Sequence, residues 1–315
     1  MRKVLITGGG GFIGTNLVRR LRERDRSCKI VVLDDESLGS LSGLQASGAD
    51  CATLSCRRAD IRDPQSVGTA LSGCDSVIHL AANTRVVESI EDPRLNFDVN
   101  VRGTLNVLLA ARDAGIRRVV MASTGGAILG DVEPPVHEAM VARPIAPYGA
   151  SKLAAEAYGH AFAGAYGMKV TSLRFSNVYG PHSYRKGSAI AHFFKQILER
   201  RPITVFGDGL QVRDFIYVDD LCRGILQAID ADAEGVFQLG SGRPTAINTL
   251  LEEMRRTVGP AWWPAVDYQP ARTGEIKRTY CDIAKSRRTF DFRPDTTLAD
   301  GLSTTWQWFL AHAPR

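Results

Sequence analysis

No run of 18 or more apolar residues occurs anywhere in the 315-residue sequence, which argues against a helix long and greasy enough to cross a bilayer. The opening Met1-Arg2-Lys3-Val4-Leu5-Ile6 runs into glycine before an apolar secretory region has room to form, so a cytosolic protein is expected. Cysteines number only six (Cys28, Cys51, Cys56, Cys74, Cys222 and Cys281), with no CxxC pair and no His-rich partner. Neither a zinc site nor a disulfide frame is expected from them, and they read as reduced structural thiols. Internal repeats and low-complexity linkers are missing as well, which removes solenoids and tethered modules. The formal charge of +5 has no concentrated stripe. Its densest knots, Arg19-Arg20, Arg57-Arg58 and Arg287-Arg288, lack interleaved aromatics and read as solvated helix faces rather than a nucleic-acid surface. A mild positive balance suits a diphosphate ligand.

What the chain does have is the composition of an ordinary globular protein, 44% hydrophobic and 23% charged. Apolar runs at Val4-Leu5-Ile6, Ile30-Val31-Val32-Leu33, Val77-Ile78-His79-Leu80, Val119-Val120-Met121 and Val170-Thr171-Ser172-Leu173-Arg174-Phe175 alternate with helical patterns. Strands that are continuously apolar and separated by helices predict an α/β fold, a doubly wound parallel sheet of Rossmann type covered on both faces. After Asn177 the rhythm breaks, returning at Phe215-Ile216-Tyr217-Val218 with a helix after Asp219. Residues 1–176 plus 213–240 are therefore assigned to a dinucleotide-binding domain, and residues 177–212 plus 241–315 to a smaller, interleaved α/β substrate lobe.

The first strand runs directly into Thr7-Gly8-Gly9-Gly10-Gly11-Phe12-Ile13-Gly14. Glycines at positions 8, 11 and 14 let the backbone turn tightly, approach a pyrophosphate and pack helix on sheet, while the helix start offers amide donors to the anion. The second strand ends at Leu33-Asp34, twenty residues beyond Gly14, where a carboxylate accepts from the adenosine ribose hydroxyls. With Asp35 beside it and no arginine following, a 2′-phosphate is repelled, so NAD is expected over NADP. Asp60-Ile61 either flanks the adenine or simply ends a strand.

Pro147 opens a helical pattern carrying Tyr148 and Lys152 four residues apart, hence on one face. A phenol with an ordinary pKa of ~10 needs on the order of 4 kcal/mol of preference for its anion to titrate near neutrality. A neighbouring ammonium and an oxidised nicotinamide are the expected sources, making Tyr148 a base for a substrate hydroxyl while hydride leaves for the cofactor. Upstream, Val119-Val120-Met121-Ala122 ends in Ser123-Thr124, a hydroxyl at the carboxyl edge of the sheet, where such folds bind ligands.

Together these features resemble the extended short-chain dehydrogenases/reductases of the NAD-dependent nucleotide-sugar epimerase/dehydratase family, and among them the UDP-hexose 4-epimerases. The resemblance rests on residues 7–14, His79-Leu80-Ala81-Ala82, Asn100 with Gly103-Thr104, residues 148–152, Asn177-Val178-Tyr179-Gly180-Pro181, residues 213–220 and Arg272-Thr273-Gly274-Glu275. It implies cofactor contacts from Gly8, Gly11, Phe12, Ile13, Gly14, Asp34, Asp60, Ile61, Leu80, Ala81, Ala82, Asn100, Tyr148 and Lys152. It further implies that Asn177, Arg213 and Arg272 hold a sugar diphosphate, that Glu275 takes the nucleoside ribose, and that Thr124 (or Ser123), Tyr148 and Lys152 handle protons. Arginine forks suit phosphate oxygens.

In this family a 4-keto sugar forms first, and further residues decide its fate. Dehydratases carry an Asp-Glu pair after the strand-end threonine, where this chain has Gly125-Gly126. The decarboxylases' glutamate and the reductive double epimerases' cysteine and histidine are likewise missing. Epimerisation at C4 of a UDP-sugar, either the glucose/galactose or the N-acetylated pair, is what remains, with NAD recycled in each turnover. Thr279, at the place facing the sugar C2 substituent, is small enough to admit an N-acetyl group. The rivals are a 4,6-dehydratase or keto-sugar reductase on the same fold, and a non-catalytic NAD-binding sensor. Family members pair the helix after Asn100 with that of Tyr148 across a homodimer; Leu105, Val107, Leu108, Ala154, Ala155, Ala157 and Ala161 suit such an interface or the subunit's own core.

Overall fold

The structure, a computed structural model, describes residues 1–46, 53–271 and 276–312. Its strands are β1 (Lys3–Thr7), β2 (Lys29–Asp34), β3 (Leu54–Arg58), β4 (Ser76–His79), β5 (Arg118–Thr124), β6 (Lys169–Phe175), β7 (Asn177–Tyr179), β8 (Ile203–Phe206), β9 (Val212–Tyr217), β10 (Gly235–Leu239), β11 (Pro244–Ala246) and β12 (Val266–Gln269). The helices are α1 (Phe12–Arg24), α2 (Leu41–Ala46), α3 (Pro64–Leu71), α4 (Val86–Glu91), α5 (Pro93–Phe97), α6 (Gly103–Asp113), α7 (Pro147–Tyr166), α8 (Ala189–Leu198), α9 (Val218–Asp230), α10 (Ile247–Val258), α11 (Ala284–Phe290) and α12 (Leu298–His312). A π-helical turn, Asp98–Arg102, joins α5 to α6.

Seven parallel strands form the main sheet in the order β10-β6-β5-β4-β1-β2-β3. Alternation along β1 shows why its residues are all apolar. Val4 and Ile6 enter the core under α1 and α9 with Leu17, Val18, Leu221 and Ile225. Leu5 enters the opposite core with Val67, Val107, Leu108 and Phe162 from α3, α6 and α7. A strand buried on both faces has no polar side to show. The order reverses between β1 and β4, and a crevice opens there at the carboxyl ends of the strands, as doubly wound sheets require. No helix of the described residues is long and apolar enough to cross a membrane.

A third core, built on Phe194, Ile197, Ile203, Leu250, Met254, Trp306 and Phe309, holds the smaller lobe. There β9 pairs in parallel with β7 and antiparallel with β11, while β8 pairs with β12. Two segments pack differently from the assignment made on sequence. β9, most of which was assigned there to the dinucleotide-binding domain, lies outside the seven-stranded sheet and pairs with β7 and β11. Conversely, Cys281, Ile283, Phe290 and Phe292 join Phe237 and Leu239 in the core under the large sheet. We propose a lobe division that follows this packing. Cys28, Cys56, Cys74, Cys222 and Cys281 are free thiols; Cys51 lies outside the described residues.

Candidate active site

The glycine loop is cramped by design of its backbone. Gly8 has φ +69°, and a Cβ there would lie 2.6 Å from the Ala81 nitrogen; one on Gly14 would collide with the Gly8 carbonyl. Gly11 caps α1 without a side chain, so the first-turn amides face the crevice. Asp34 accepts from the Gly10 amide at 2.9 Å and the Glu36 amide at 2.8 Å. Burial pushes its carboxyl up, against these two bonds. Arg58, opposite Asp34 in the β2–β3 register, is drawn to Glu36 at 3.6 Å. Asp60 lines the same cleft, but Arg62 clamps its carboxylate with bonds of 2.9 and 2.6 Å and holds it below the usual carboxylate range. Ile61 also lines the cleft and lies against Gly103, where a Cβ would sit 2.6 Å from its Cδ1.

Leu80, Ala81 and Ala82 also line the cleft, and Asn100 does not. The Asn100 amide is spent on scaffolding: its oxygen accepts from the Asn83 amide (2.8 Å), and its nitrogen donates to the Asn83 carbonyl (2.9 Å) and Ser151 Oγ (3.0 Å). The π-turn that carries Asn100 aims it at both the loop after β4 and the helix of Tyr148. The amide expected to contact the cofactor is thus bonded to the loop after β4 and to α7. His79, sandwiched between Thr7 and Thr104 hydroxyls at 2.6 and 2.9 Å, is driven by burial to about 3 and stays neutral.

β5 ends at the crevice, and α7 starts beside it with Pro147 in its first turn. The Tyr148 amide finds the Ser89 hydroxyl at 3.1 Å, and the Tyr148 phenol hydrogen-bonds to the Thr124 hydroxyl. One turn on, Lys152 Nζ donates to the Ala122 carbonyl at 3.0 Å. Burial dominates both groups: it pushes the phenol up to about 12, against the Thr124 bond, and the amine down to about 8, against the Glu156 charge. Of the two sources expected to acidify Tyr148, the ammonium and an oxidised nicotinamide, the ammonium of Lys152 does not by itself offset the burial of the phenol. The amine is anchored on a strand carbonyl, and desolvation of the phenol outweighs its charge.

Ser123 is also reassigned. Its hydroxyl donates to Glu156 Oε1 at 2.6 Å, and Glu156 is gripped by Arg174 through bonds of 2.9 and 2.8 Å. Thr124 is left as the hydroxyl beside Tyr148. Glu156 and Arg174 were missed from sequence, although both signals were present: a carboxylate one turn beyond Lys152, and an arginine inside an apolar strand that needs a buried counter-charge.

From the smaller lobe, Asn177 donates to the Asp214 carbonyl at 3.2 Å, and Arg213 reaches the Val212 and Lys277 carbonyls at 2.9 and 3.3 Å; both line the cleft. Arg272 and Glu275 lie outside the described residues. Thr279 faces Gly126, whose added Cβ would stand 3.2 Å from Thr279 Oγ1. The cleft encloses about 1430 Å³ and runs from Asp34 past Tyr148 to Arg213. Ordinary ligand pockets reach about 1,000 Å³, so the space suits two ligands side by side. The bare helix start, the glycine cradle and the Asp34 carboxylate fit a dinucleotide.

A sequence-family model described as the NAD dependent epimerase/dehydratase family matches residues 4–240. A putative UDP-glucose 4-epimerase of Methanocaldococcus jannaschii is 33% identical over 97% of this chain and 97% of its own. A dTDP-glucose 4,6-dehydratase of Streptomyces niveus is 32% identical over 98% of this chain and 92% of its own. Among solved structures, the UDP-glucose 4-epimerase of Thermotoga maritima with UDP-glucose superposes with a TM-score of 0.90 at 32% identity, over 98% of this chain and 99% of the other.

Proposed function

The chain belongs to the NAD-dependent epimerase/dehydratase family, and on that premise we propose that it inverts C4 of a UDP-hexose through a transient 4-keto sugar. Bound NAD supplies the hydride acceptor, and in reduced form the donor, at the carboxyl edge of the sheet. We assign its seat to Gly8, Gly11, Phe12, Ile13, Gly14, Asp34, Leu80, Ala81 and Ala82. Tyr148 takes the proton of the C4 hydroxyl, Thr124 hydrogen-bonds the same oxygen, and Lys152 provides the fixed positive charge behind the phenol. When the sugar turns over, Tyr148 returns the proton, so the sum of the two half-reactions is an isomer. Asn177 and Arg213, with Arg272 and Glu275, are assigned to the nucleotide diphosphate.

One observation carries the choice of epimerisation over dehydration. Beyond Thr124 the chain offers only Gly125 and Gly126, and an added Cβ on Gly125 would stand 3.0 Å from Gln238 Oε1. Elimination of water needs an acid and a base there. Among the described residues, the carboxylates that line the cleft are Asp34, Asp35, Asp60, Glu88 and Asp214, and each is engaged elsewhere. An NAD-binding sensor would have no use for a Tyr148–Thr124 pair within the cleft. Thr279, small and facing Gly126, supports acceptance of N-acetylated hexoses too.

The homodimer face is proposed on the outer side of α7, where Ala157 and Ala161 are exposed. Val107, Leu108 and Ala155, allowed for that face on sequence, are buried in the subunit's own core.

The test is incubation with UDP-, dTDP- and GDP-hexoses, each with its N-acetylated counterpart where one exists, with products resolved by NMR. UDP-glucose and UDP-galactose should interconvert; release of a 4-keto-6-deoxy sugar would replace this reading with dehydration. Turnover of UDP-glucose with none of UDP-N-acetylglucosamine would refute the role given to Thr279.

A further inference from the structure

Lys186 stands in the cleft wall on the segment between β7 and α8, and nothing above gives it work. Its Nζ donates to the Val178 carbonyl at 3.1 Å and lies 5.1 Å from the centroid of the Phe12 ring. Val178 lies on β7 of the three-stranded sheet, with its side chain in the core under the large sheet, and Phe12 is the first residue of α1. The ammonium therefore spans from a strand of the three-stranded sheet to the helix start beside the seven-stranded one. The neighbouring Arg185 reaches in the same direction, to the Gly39 carbonyl at 3.5 Å, and Gly39 packs on the glycine loop through Gly10.

Its charge is uncompensated. Lys186 forms no ion pair among the described residues, and burial is the sole influence on its ammonium, pushing it down to about 8. An ammonium has three protons to donate, and one carbonyl takes one of them. Burying a cation without a partner is costly, and such groups are kept where an anion arrives. The anion at hand is a pyrophosphate at the start of α1. It carries two negative charges, of which the helix terminus offsets roughly half of one.

We propose that Lys186 is the counter-cation of the cofactor pyrophosphate, bound from the smaller lobe across the cleft, so that NAD itself fastens the two lobes together. This rests on the seat given to NAD on the α1 start. It adds a contact that the glycine-loop pattern does not contain. The ring of Phe12 helps by holding the ammonium over its face. A cation shared between a carbonyl of one lobe and a phosphate on the other would make cofactor release require the lobes to part.

The experiment titrates wild-type protein, Lys186→Met and Lys186→Arg, each stripped of cofactor, with NAD, NADH and UDP separately by calorimetry. Methionine keeps the stem that packs on Phe12 and removes the charge. Lys186→Met should lose on the order of 10-fold to 100-fold in affinity for NAD and for NADH alike, as expected for one charge-assisted bond to phosphate. UDP affinity should stay within about threefold, and Lys186→Arg should restore most of the NAD affinity. An NAD affinity unchanged in Lys186→Met, or an equal loss for UDP, overturns the assignment. A loss confined to NADH overturns it too, since both redox forms share the pyrophosphate. Lys186→Gln serves as a second charge-free variant if the methionine protein does not fold. Wild-type protein that failed to bind NAD would instead remove the seat on which the inference stands.

Discussion

Ser123 gives its hydroxyl proton to Glu156 at 2.6 Å, on the far side of the strand end from the Tyr148 phenol. Glu156 and Arg174 are 6% and 5% exposed, so this is a buried ion pair beneath the reactive groups. Removing the charge of one partner leaves the other uncompensated, which costs about 3–5 kcal/mol. Arg174 Nη1 already lacks a partner, leaving it little room to adapt. Glu156→Gln should therefore lower the urea-unfolding stability by about that amount; a loss below about 1 kcal/mol would show that the pair is not desolvated.

The two neighbouring hydroxyls should separate in kinetics. Thr124→Ala should reduce kcat by about 100-fold, in the range of a lost proton-handling contact. Ser123→Ala should keep kcat within a few fold and lower stability by about 1.5–3 kcal/mol, the worth of one hydrogen bond to a charged group. The reverse ranking of the two variants would restore Ser123 to the chemistry.

Tyr148→Phe should retain NAD yet lower kcat by about 100-fold to 10,000-fold, because the phenol is the base and makes no contact needed for the dinucleotide. Stopped-flow detection of NADH formation on adding substrate checks this directly, and near-normal turnover would end the mechanism proposed.

Lys152 sets a stability dependence on pH. Its amine titrates at about 8 in the folded chain against an ordinary 10.5. Below pH 8 both states are protonated and the native state bears the cost of a buried charge. Between about 8 and 10.5 the native chain sheds that proton while the unfolded chain keeps it, so this group's contribution to stability rises with pH. Lys152→Met should thus be more stable than wild type at pH 7 by an amount that shrinks by pH 10, with a change on the order of 1–3 kcal/mol. Lys186 titrates alike in both proteins and cancels. Urea midpoints of the ligand-free proteins at the two pH values decide it, and an advantage that grows with pH would contradict the burial of this amine.

At Gly8, φ is +69° and the space behind Cα is filled by the Ala81 backbone. Gly8→Ala strains the turn by roughly 1–2 kcal/mol and displaces the loop that faces the pyrophosphate. Calorimetry should show NAD affinity falling at least about 10-fold with UDP affinity kept. Equal retention of both would mean that the cradle yields.

Periodicity made much of this legible before any coordinates. The alternation of Val4, Leu5 and Ile6 between two cores requires apolar residues at every position, so β1 stands out, as does α7 with proline at its start and Tyr148 and Lys152 one turn apart. The smaller lobe was harder to read. β7, β9 and β11 are short strands whose pairing depends on which neighbour is reached after a long excursion, and no local pattern encodes that. Hence the residue ranges assigned to the two lobes did not foresee that β9 pairs with β7 or that residues from 281–292 pack under the large sheet.

Sequence alone determined the parallel sheet, the glycine turn followed by the Asp34 carboxylate, and the order of Thr124, Tyr148 and Lys152 along the chain, because each follows from spacing within a single element or between adjacent ones. Tertiary structure decided what those groups face. It committed Ser123 to Glu156 and Asn100 to Asn83 and Ser151, raised the phenol by burial, and brought Lys186 over Phe12 from 174 residues away. Charge, hydrogen bonding and desolvation act through space over a few ångströms, and residues that near to one another can be far apart along the chain.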